Sequence, residues 1–172
     1  MANSGAGGGG VRADLDDVFR SHYRQVVGVA ARVLGSWDQA EDVAQEVFLS
    51  FGRSTVPPGE AGGWLSVAAA HSALNLLRSG RRRATREAAA ADTVAQSDFV
   101  ETVVTREERR RVRGALARLP RKQAVALVLR HSGLSYADVA AAIGVSPNSV
   151  GTTVRRAESA LRKELNSHAS SD

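Results

Sequence analysis

The sequence predicts an all-α protein made of two small helical domains. Apolar residues recur every three or four positions over long stretches, which is the period of an amphipathic helix. Alanine, the strongest helix former, occurs 29 times in 172 residues, whereas only eight residues are aromatic. The apolar fraction of 43% is enough for modest helical cores, and a large sheet sandwich or barrel is not expected.

Composition also excludes several classes of site. The chain contains no cysteine, so it has no disulfide, thiolate metal site or cysteine nucleophile. Its histidines lack metal-ligand spacing, and His22 and His131 are interpreted as core or capping residues. No phosphate-binding glycine loop precedes a helix, and we expect no enzyme activity, cofactor or metal. Without a signal peptide or an apolar run of roughly 20 residues, the chain is expected to be cytoplasmic, with no membrane insertion.

The net charge of +5 is unevenly distributed along the chain. The first 60 residues carry −3, residues 61–100 carry +2, and residues 101–172 carry +6. An acidic first part and a basic second half are compatible with one surface for a basic partner and another for nucleic acid. Solvated arginine-rich helix faces produce the same charges, so charge alone leaves both interpretations open.

The first domain is predicted over residues 13–83, after a disordered glycine-rich tail at 1–12. Its first helix begins near Asp14, because apolar residues then recur at helical spacing until Gly35 interrupts them. The apolar positions are Leu15, Val18, Phe19, Val26, Val29, Ala30 and Val33.

Two further helices complete the first domain. The second starts after Ser36, which resembles a capping box with Gln39, and extends to about Arg53. Residues 54–63 contain two prolines and three glycines and are predicted to form a loop. The third helix is expected to begin near Trp64 and to end at the arginine cluster that closes the domain.

Residues 84–101 are rich in alanine and polar side chains, lack a sustained apolar period and are predicted to form a flexible linker, with a helical extension over Ala88 to Ala91 as the alternative. A second domain is predicted over residues 102–166, followed by a tail at 167–172. Apolar positions follow helical spacing on both sides of Pro120, which indicates two helices that meet at this proline.

The end of the second domain has the pattern of a helix-turn-helix. Ser135 and Asp138 are predicted to cap its first helix, which ends at Gly144. Ser146 and Pro147 then start the next helix as N-cap and first-turn proline. The apolar residues at the junction are Ala140, Ile143, Val145 and Val150. Two helices joined by a short glycine-containing turn are typical of this DNA-binding motif.

The last helix separates apolar from polar side chains. Val150, Val154, Ala157 and Leu161 are predicted to pack inward. The opposite face has hydrogen-bonding residues first and arginines one turn later, as a recognition helix needs for base edges and phosphates. The DNA-contacting candidates are Ser146, Asn148, Ser149, Thr152, Thr153, Arg155 and Arg156. An ordinary surface helix has the same polarity, but the turn, the caps and the positive charge together favour DNA binding.

The third helix carries a second polar stripe. It consists of His71, Asn75, Arg78 and Arg82, and arginines 81–83 close the helix. Side chains of this kind suit a single DNA strand, because they can hold an unstacked base while arginines follow its backbone. Arginines at a helix C-terminus also complement the helix dipole, and physical arguments alone slightly favour that structural interpretation.

Helix two carries an acidic cluster away from its apolar seam. The cluster consists of Glu41, Asp42, Gln45 and Glu46. Carboxylates in such a group can pair with arginines of a partner protein, although a solvated helix face has the same composition.

Several of these motifs resemble the extracytoplasmic-function sigma factors of bacterial RNA polymerase. The motifs are residues 40–48 (AEDVAQEVF), Trp64 with Leu65, Leu119 with Pro120, residues 134–140 (LSYADVA) and residues 144–146 (GVS). The resemblance extends from about Asp14 to Leu165 and includes both predicted domains in the expected order.

The resemblance implies a transcription initiation factor that binds the beta-prime and beta subunits of core RNA polymerase. Its acidic docking residues would be Glu41, Asp42, Gln45 and Glu46, which contact a beta-prime coiled coil. The loop at 54–63 and the third helix would recognise and open the minus-ten promoter element. The minus-ten residues would be His71, Asn75, Arg78, Arg81 and Arg82. The helix-turn-helix would read the minus-thirty-five element, and an anti-sigma factor would mask the polymerase-binding surface.

Three positions depart from the family pattern. Ala61 stands where an aromatic residue is common, and His71 and Asn75 stand where asparagine and aspartate are common. All three lie in the segment to which the resemblance assigns the minus-ten element.

Two other classes of function are compatible with the residues alone. A conventional helix-turn-helix regulator would bind operator DNA without acting as a sigma factor. A helical adaptor would only occupy a partner protein. The regulator predicts duplex binding by the protein alone and no transcription from a bare promoter with core enzyme.

Overall fold

The computed structural model describes residues 11–87 and 103–169, with side chains described for 11–80 and 106–167. These residues form seven α-helices, one short 3-10 turn and no strand, which confirms the predicted all-α class. The helices are α1 (Leu15–Leu34), α2 (Trp37–Gly52), α3 (Ala61–Glu87), α4 (Val103–Arg118), α5 (Arg121–His131), α6 (Tyr136–Ile143) and α7 (Pro147–Ala169). The 3-10 turn is Pro58–Glu60. Most of the predicted tails and linker, at 1–10, 88–102 and 170–172, lies outside the described residues.

The first domain is a three-helix unit in which α1 packs against both α2 and α3. Gly35 ends α1 in a left-handed conformation with a φ of 65°, as its position after the last apolar residue predicts. The Ser36 hydroxyl then caps α2 by accepting a hydrogen bond from the Gln39 amide at 3.4 Å. Fully buried side chains at the centre of this domain are Val26, Val29, Val33, Phe51, Leu65 and Leu74.

The third helix is longer than the sequence predicts at both ends. It begins at Ala61, three residues before Trp64, because its first turn packs closely against α1. A Cβ atom on Gly62 would lie only 2.9 Å from Cε1 of His22, so this glycine permits a close helix contact rather than a loop. At its other end, α3 continues through Glu87 and includes residues 84–87 of the predicted linker. Arginine, alanine and glutamate follow Gly80, and these strong helix formers extend the helix.

The second domain contains the predicted helix-turn-helix. Pro120 precedes the first residue of α5, as the sequence predicts. The Ser135 hydroxyl caps α6 by accepting a hydrogen bond from the Asp138 amide at 3.1 Å, and Gly144 ends the helix with a φ of 69°. Helix α7 then begins at Pro147. Fully buried side chains in this domain include Val125, Leu129, Val139 and Val150.

The two domains are in direct contact, which the separate helical patterns do not predict. Helices α1 and α3 lie against α4 and α5. A guanidinium nitrogen of Arg78 donates to the carbonyl of Leu119 at 2.8 Å, and Arg32 reaches the hydroxyl of Ser132 at 3.4 Å. Buried apolar side chains of both domains also belong to one continuous cluster, so the contact is apolar as well as polar.

Arg12 connects the start of α1 to the segment that follows α2. Its guanidinium forms a two-point contact with the Asp14 carboxylate, at 2.6 and 2.7 Å, and donates to the Val56 carbonyl at 2.7 Å. The same group lies 4.2 Å from the centre of the Phe51 ring. The hydrogen bond from Arg12 holds the pKa of Asp14 below its usual value. Arg12 falls in the predicted tail at 1–12, so the sequence gives no indication of this role.

Replacing Phe51 tests how strongly the first domain depends on its small core. Phe51→Ala should lower the free energy of unfolding by about 3–5 kcal/mol, because it leaves a cavity among fully buried residues. The matched control is Leu49→Ala on the exposed face of α2, where the expected change is below about 0.5 kcal/mol. Urea unfolding followed by tryptophan fluorescence reports on this domain, because both tryptophans lie in it. Equal losses for the two variants would contradict the described core.

Candidate functional site

The acidic cluster of α2 lies entirely on the surface. Its four members, Glu41, Asp42, Gln45 and Glu46, are all exposed. The carboxylate of Glu41 accepts hydrogen bonds from the hydroxyl of Tyr23 at 3.1 Å and from the indole nitrogen of Trp37 at 3.2 Å. Burial and the neighbouring Glu41 raise the pKa of Tyr23, which therefore stays a neutral donor. These two donors orient one carboxylate of the cluster before any partner arrives.

An apolar groove of about 720 Å³ lies beside the acidic cluster. Its apolar lining is Val11, Ala13, Leu15, Phe19, Tyr23, Phe48 and Leu49, and three residues of the acidic cluster, Glu41, Asp42 and Gln45, also line it. The ring centre of Phe19 lies 4.8 Å from those of both Tyr23 and Phe48. Phe19 is 39% exposed, although it belongs to the apolar series that predicts α1. The ring belongs to a surface aromatic cluster, because Phe48 and Tyr23 hold it at the edge of the domain.

The recognition-helix candidates are displayed on the outside of α7. Six of the seven are exposed, namely Ser146, Asn148, Ser149, Thr152, Arg155 and Arg156, and Thr153 is half-buried. On the opposite face, Val150, Val154 and Ala157 are buried and Leu161 is half-buried, as predicted. The polar face is therefore available to a ligand while the apolar face holds the helix in the domain.

Hydroxyl groups at the start of α7 are already ordered by local hydrogen bonds. The hydroxyls of Ser146 and Ser149 are 2.8 Å apart, and the Thr153 hydroxyl donates to the Ser149 carbonyl at 2.9 Å. The Thr153 oxygen therefore offers a ligand only its acceptor capacity. Asn148 and Thr152 are exposed hydrogen-bonding residues in the first two turns of the same helix.

Tyr136 and Arg130 extend this surface, and neither is among the predicted site residues. The guanidinium of Arg130 lies 5.0 Å from the centre of the Tyr136 ring, which is 47% exposed. The Tyr136 hydroxyl also lies beside Gly151 of α7. A Cβ atom on Gly151 would be 3.7 Å from the hydroxyl oxygen. The aromatic residue of the LSYADVA motif is the sequence signal that marks this position.

The polar stripe of α3 faces the second domain. Arg121, the first residue of α5, donates to the Asn75 side-chain oxygen at 2.7 Å and to His71 Nδ1 at 3.2 Å. Arg78 contacts the same region through the carbonyl of Leu119. The structure thus brings together His71, Asn75 and Arg78, but against protein groups. The side chains of Arg81 and Arg82, the other minus-ten candidates, lie outside the described ones.

His71 is neutral in this arrangement. Arginine has only donors, so Nδ1 of His71 must accept from Arg121, and the ring proton is then on Nε2. Burial, followed by the positive charge of Arg121, lowers the pKa of His71 below its ordinary value. Protonation would place a proton between the ring and the guanidinium, so acid disfavours the contact.

The titration of His71 should report on this contact. We expect an apparent pKa below about 6.5 in the whole chain, and Arg121→Ala should raise it by removing both the positive charge and part of the burial. Lys122→Ala is the matched control, because Lys122 is an exposed cation next to Arg121. Histidine ring resonances followed by NMR over pH provide the measurement. An unchanged His71 titration in Arg121→Ala would contradict the contact.

Within 11–87 and 103–169, no helix combines the length and the apolar character of a membrane span. In the same part of the chain, histidine and carboxylate side chains do not gather in groups of three or more that suit a metal ion.

Comparison with known proteins places each domain in a known family. Residues 18–83 match the family model of sigma-70 region 2, and residues 109–161 match that of sigma-70 region 4. Both matches fall within the boundaries of the two predicted domains.

Curated relatives align with the whole chain rather than with one domain. The ECF RNA polymerase sigma factor SigE of Mycolicibacterium smegmatis is 31% identical to this chain. The aligned part covers 90% of this chain and 63% of SigE. SigM of Mycobacterium tuberculosis is 30% identical over 91% of this chain and 79% of its own length. The sigma factor CarQ of Myxococcus xanthus is 31% identical, with 91% of each chain aligned.

A solved structure has the same fold. The sigma factor RpoE of Bartonella quintana, in complex with the anti-sigma factor NepR, superposes with a TM-score of 0.57. The match covers 90% of this chain and 98% of that one at 19% sequence identity. The order of the two matched regions and the full-length relatives together show that this chain belongs to the ECF family of RNA polymerase sigma factors.

Proposed function

We propose that this sigma factor directs promoter-specific transcription initiation through three separate surfaces. Helix α2 binds core RNA polymerase, α3 with the preceding loop binds the minus-ten element, and α7 reads the minus-thirty-five element. The observation that carries the proposal is the location of an exposed acidic cluster in the region 2 match and an exposed recognition face in the region 4 match. The two functional units are residues 13–83 and 102–166.

The docking surface for polymerase combines charge with apolar area. Glu41, Asp42, Gln45 and Glu46 supply acceptors for basic side chains, and the adjoining groove supplies exposed aromatic and aliphatic side chains. A helix of the beta-prime subunit with arginines next to apolar residues fits both features. The carboxylates then confer orientation and association rate, and the groove contributes apolar burial.

The second domain reads duplex DNA with the start of α7. Asn148, Ser149 and Thr152 lie near the helix N-terminus, where they can enter the major groove. Arg155 and Arg156 follow one turn later and contact phosphate. Tyr136 and Arg130 border the turn and contribute to contacts with the DNA backbone.

The first domain binds the opened minus-ten strand along α3. His71 and Asn75 supply hydrogen-bonding groups for a base, and Arg78, Arg81 and Arg82 follow the phosphates. The segment 54–60, which precedes α3, completes this surface, and the hydrogen bond from Arg12 to the Val56 carbonyl holds it in place.

The same family membership leads us to propose the remaining partners and setting of the chain. It acts in the cytoplasm with core polymerase, has no enzymatic activity of its own and is controlled by an anti-sigma factor. The structure of RpoE, a sigma factor of similar fold bound to the anti-sigma factor NepR, supports this proposal. Membership in the sigma-factor family disfavours the operator-binding regulator that the residues alone leave open.

Reversing one charge of α2 tests polymerase docking. Asp42→Arg should weaken binding to purified core RNA polymerase by about tenfold or more, because it places a cation against a basic partner. Glu107→Arg, on the exposed face of α4, makes the same change of charge outside α2 and should bind normally. Pull-down measures binding, and run-off transcription on a genomic promoter library shows whether initiation falls in parallel. Equal binding of both variants would remove α2 from the docking surface.

The salt dependence of duplex binding tests the role of α7. Arg155→Ala should lower the slope of log affinity against log salt by roughly one unit, since each phosphate contact contributes about −0.9. Arg162→Ala removes an exposed arginine near the far end of the same helix and should leave the slope unchanged. Fluorescence anisotropy with a labelled 30-base-pair duplex at several salt concentrations provides the measurement. Identical slopes for wild type and Arg155→Ala would show that Arg155 makes no phosphate contact.

A further inference from the structure

Arg12 joins three parts of the first domain through one guanidinium group. Its Nε and Nη2 atoms donate to the two carboxylate oxygens of Asp14 at 2.6 and 2.7 Å. Its Nη1 atom donates to the Val56 carbonyl at 2.7 Å and to the Ser54 carbonyl at 3.4 Å. The central carbon of the group lies 4.2 Å from the middle of the Phe51 ring, near the end of α2. One side chain that precedes α1 thus contacts both α2 and the segment between α2 and α3.

Asp14 fixes the orientation of this guanidinium group. Two parallel hydrogen bonds to one carboxylate hold the plane of an arginine, which a single bond does not. The side chains of Arg12 and Asp14 are only 18% and 30% exposed, so solvent screens their pair less than it screens an open surface pair. With two nitrogens held by Asp14, the third nitrogen, Nη1, points at the Val56 carbonyl.

The carbonyl that Arg12 holds lies where the backbone of segment 54–60 has few alternatives. The Ser54 hydroxyl donates to the Phe51 carbonyl at 2.8 Å and accepts from the Val56 amide at 3.4 Å. Val56 packs partly buried against the core and is followed by two prolines, whose rings restrict φ. The exposed residues of the segment are Thr55 and 57–60.

Both ends of segment 54–60 are held by the domain, and the first end depends on Arg12. At the second end, Ala61 is fully buried and starts α3. The exposed middle is therefore presented in one conformation beside the first turn of α3. A surface that receives an unstacked base benefits from such order, because a loop that becomes ordered only on binding loses conformational entropy at that moment.

We propose that Arg12 is a positioning residue for the minus-ten element. Together with Asp14 it holds segment 54–60 in the conformation that receives the opened strand. Arg12 acts through the segment rather than on DNA, because all three of its nitrogens are bonded to protein acceptors. The proposal rests on the role proposed above for segment 54–60. It adds two residues that precede position 18, where the region 2 match begins.

Charge and position predict different results for the two members of this pair. If Arg12 acted only by attracting phosphate, Arg12→Ala would weaken the interaction with DNA and Asp14→Ala would strengthen it. If the pair positions segment 54–60, both substitutions release the segment and both impair promoter opening. Matched controls are Arg20→Ala and Asp17→Ala, which remove the same charges from exposed positions in α1. Arg20 also forms an ion pair, with Asp16 at 2.8 Å, so its removal breaks a comparable contact.

Hydrogen exchange tests the anchoring of segment 54–60 without polymerase or DNA. Exchange followed by mass spectrometry should be about tenfold faster in Arg12→Ala for peptides that cover the segment, because a charge-assisted hydrogen bond is lost. Asp14→Ala should increase exchange severalfold at the same place. The two control variants should exchange at the wild-type rate. Circular dichroism and the unfolding midpoint establish that all variants are folded, and Asp14→Ala carries the test where Arg12→Ala does not fold.

Promoter opening with core polymerase tests the consequence. A promoter recovered in the run-off experiment, with 2-aminopurine in its minus-ten region, reports strand opening by fluorescence. Arg12 also borders the apolar groove, so opening is measured at saturating sigma factor, where differences in docking do not contribute. Arg12→Ala should open the promoter about tenfold more slowly and Asp14→Ala severalfold more slowly. Arg20→Ala and Asp17→Ala should open it at the wild-type rate.

The outcomes separate the role of Arg12 from the function on which it rests. Wild-type exchange of segment 54–60 in both Arg12→Ala and Asp14→Ala overturns the anchoring. Slower opening in Arg12→Ala with faster opening in Asp14→Ala shows an effect of charge alone and overturns the positioning role, as does faster exchange with unchanged opening. If exchange responds as expected while the wild type binds no core polymerase and drives no transcription, the anchoring stands and the proposed function fails.

Discussion

The close packing of α1 against α3 determines where each surface of the first domain lies. Gly62 and the buried alanines 69, 70 and 73 allow α3 to approach the valine-rich face of α1 without large side chains between them. Helix α2 packs on another side of α1, so its acidic cluster is turned away from the polar stripe of α3. Close helix packing through small residues thus replaces the core volume that few aromatic side chains provide. The acidic cluster and the polar stripe can then lie on different faces of one small domain.

Elements with local signals could be predicted from the sequence. Gly35, Ser36, Gly144 and Pro147 mark helix ends because their backbone or capping chemistry depends only on neighbouring residues. The start of α3 could not be predicted in this way. Its prolines and glycines are local signs of a loop, but contact with His22, some 40 residues away, favours a helix that includes Gly62.

The same distinction applies to the candidate site. The acidic cluster of α2 and the polar face of α7 follow from helical periodicity, which needs no tertiary information. The roles of Arg12 and Arg121 depend on partners 44 and 50 positions away, and the exposed position of Phe19 depends on how α1 meets α2. A single sequence contains no local signal for such contacts. The surfaces were therefore predictable, whereas the contacts that hold or cover them were not.

These contacts change the interpretation of the basic charge in the second half of the chain. The second half carries most of the basic excess, which by itself indicates nucleic acid. Yet Arg118 is paired with Glu164 at 2.6 Å and Arg121 with acceptors on α3, whereas Arg155 and Arg156 remain exposed. Basic charge is thus divided between internal contacts and the exposed face of α7. Basic composition alone therefore does not locate a nucleic-acid surface, because part of the charge is used in contacts within the protein.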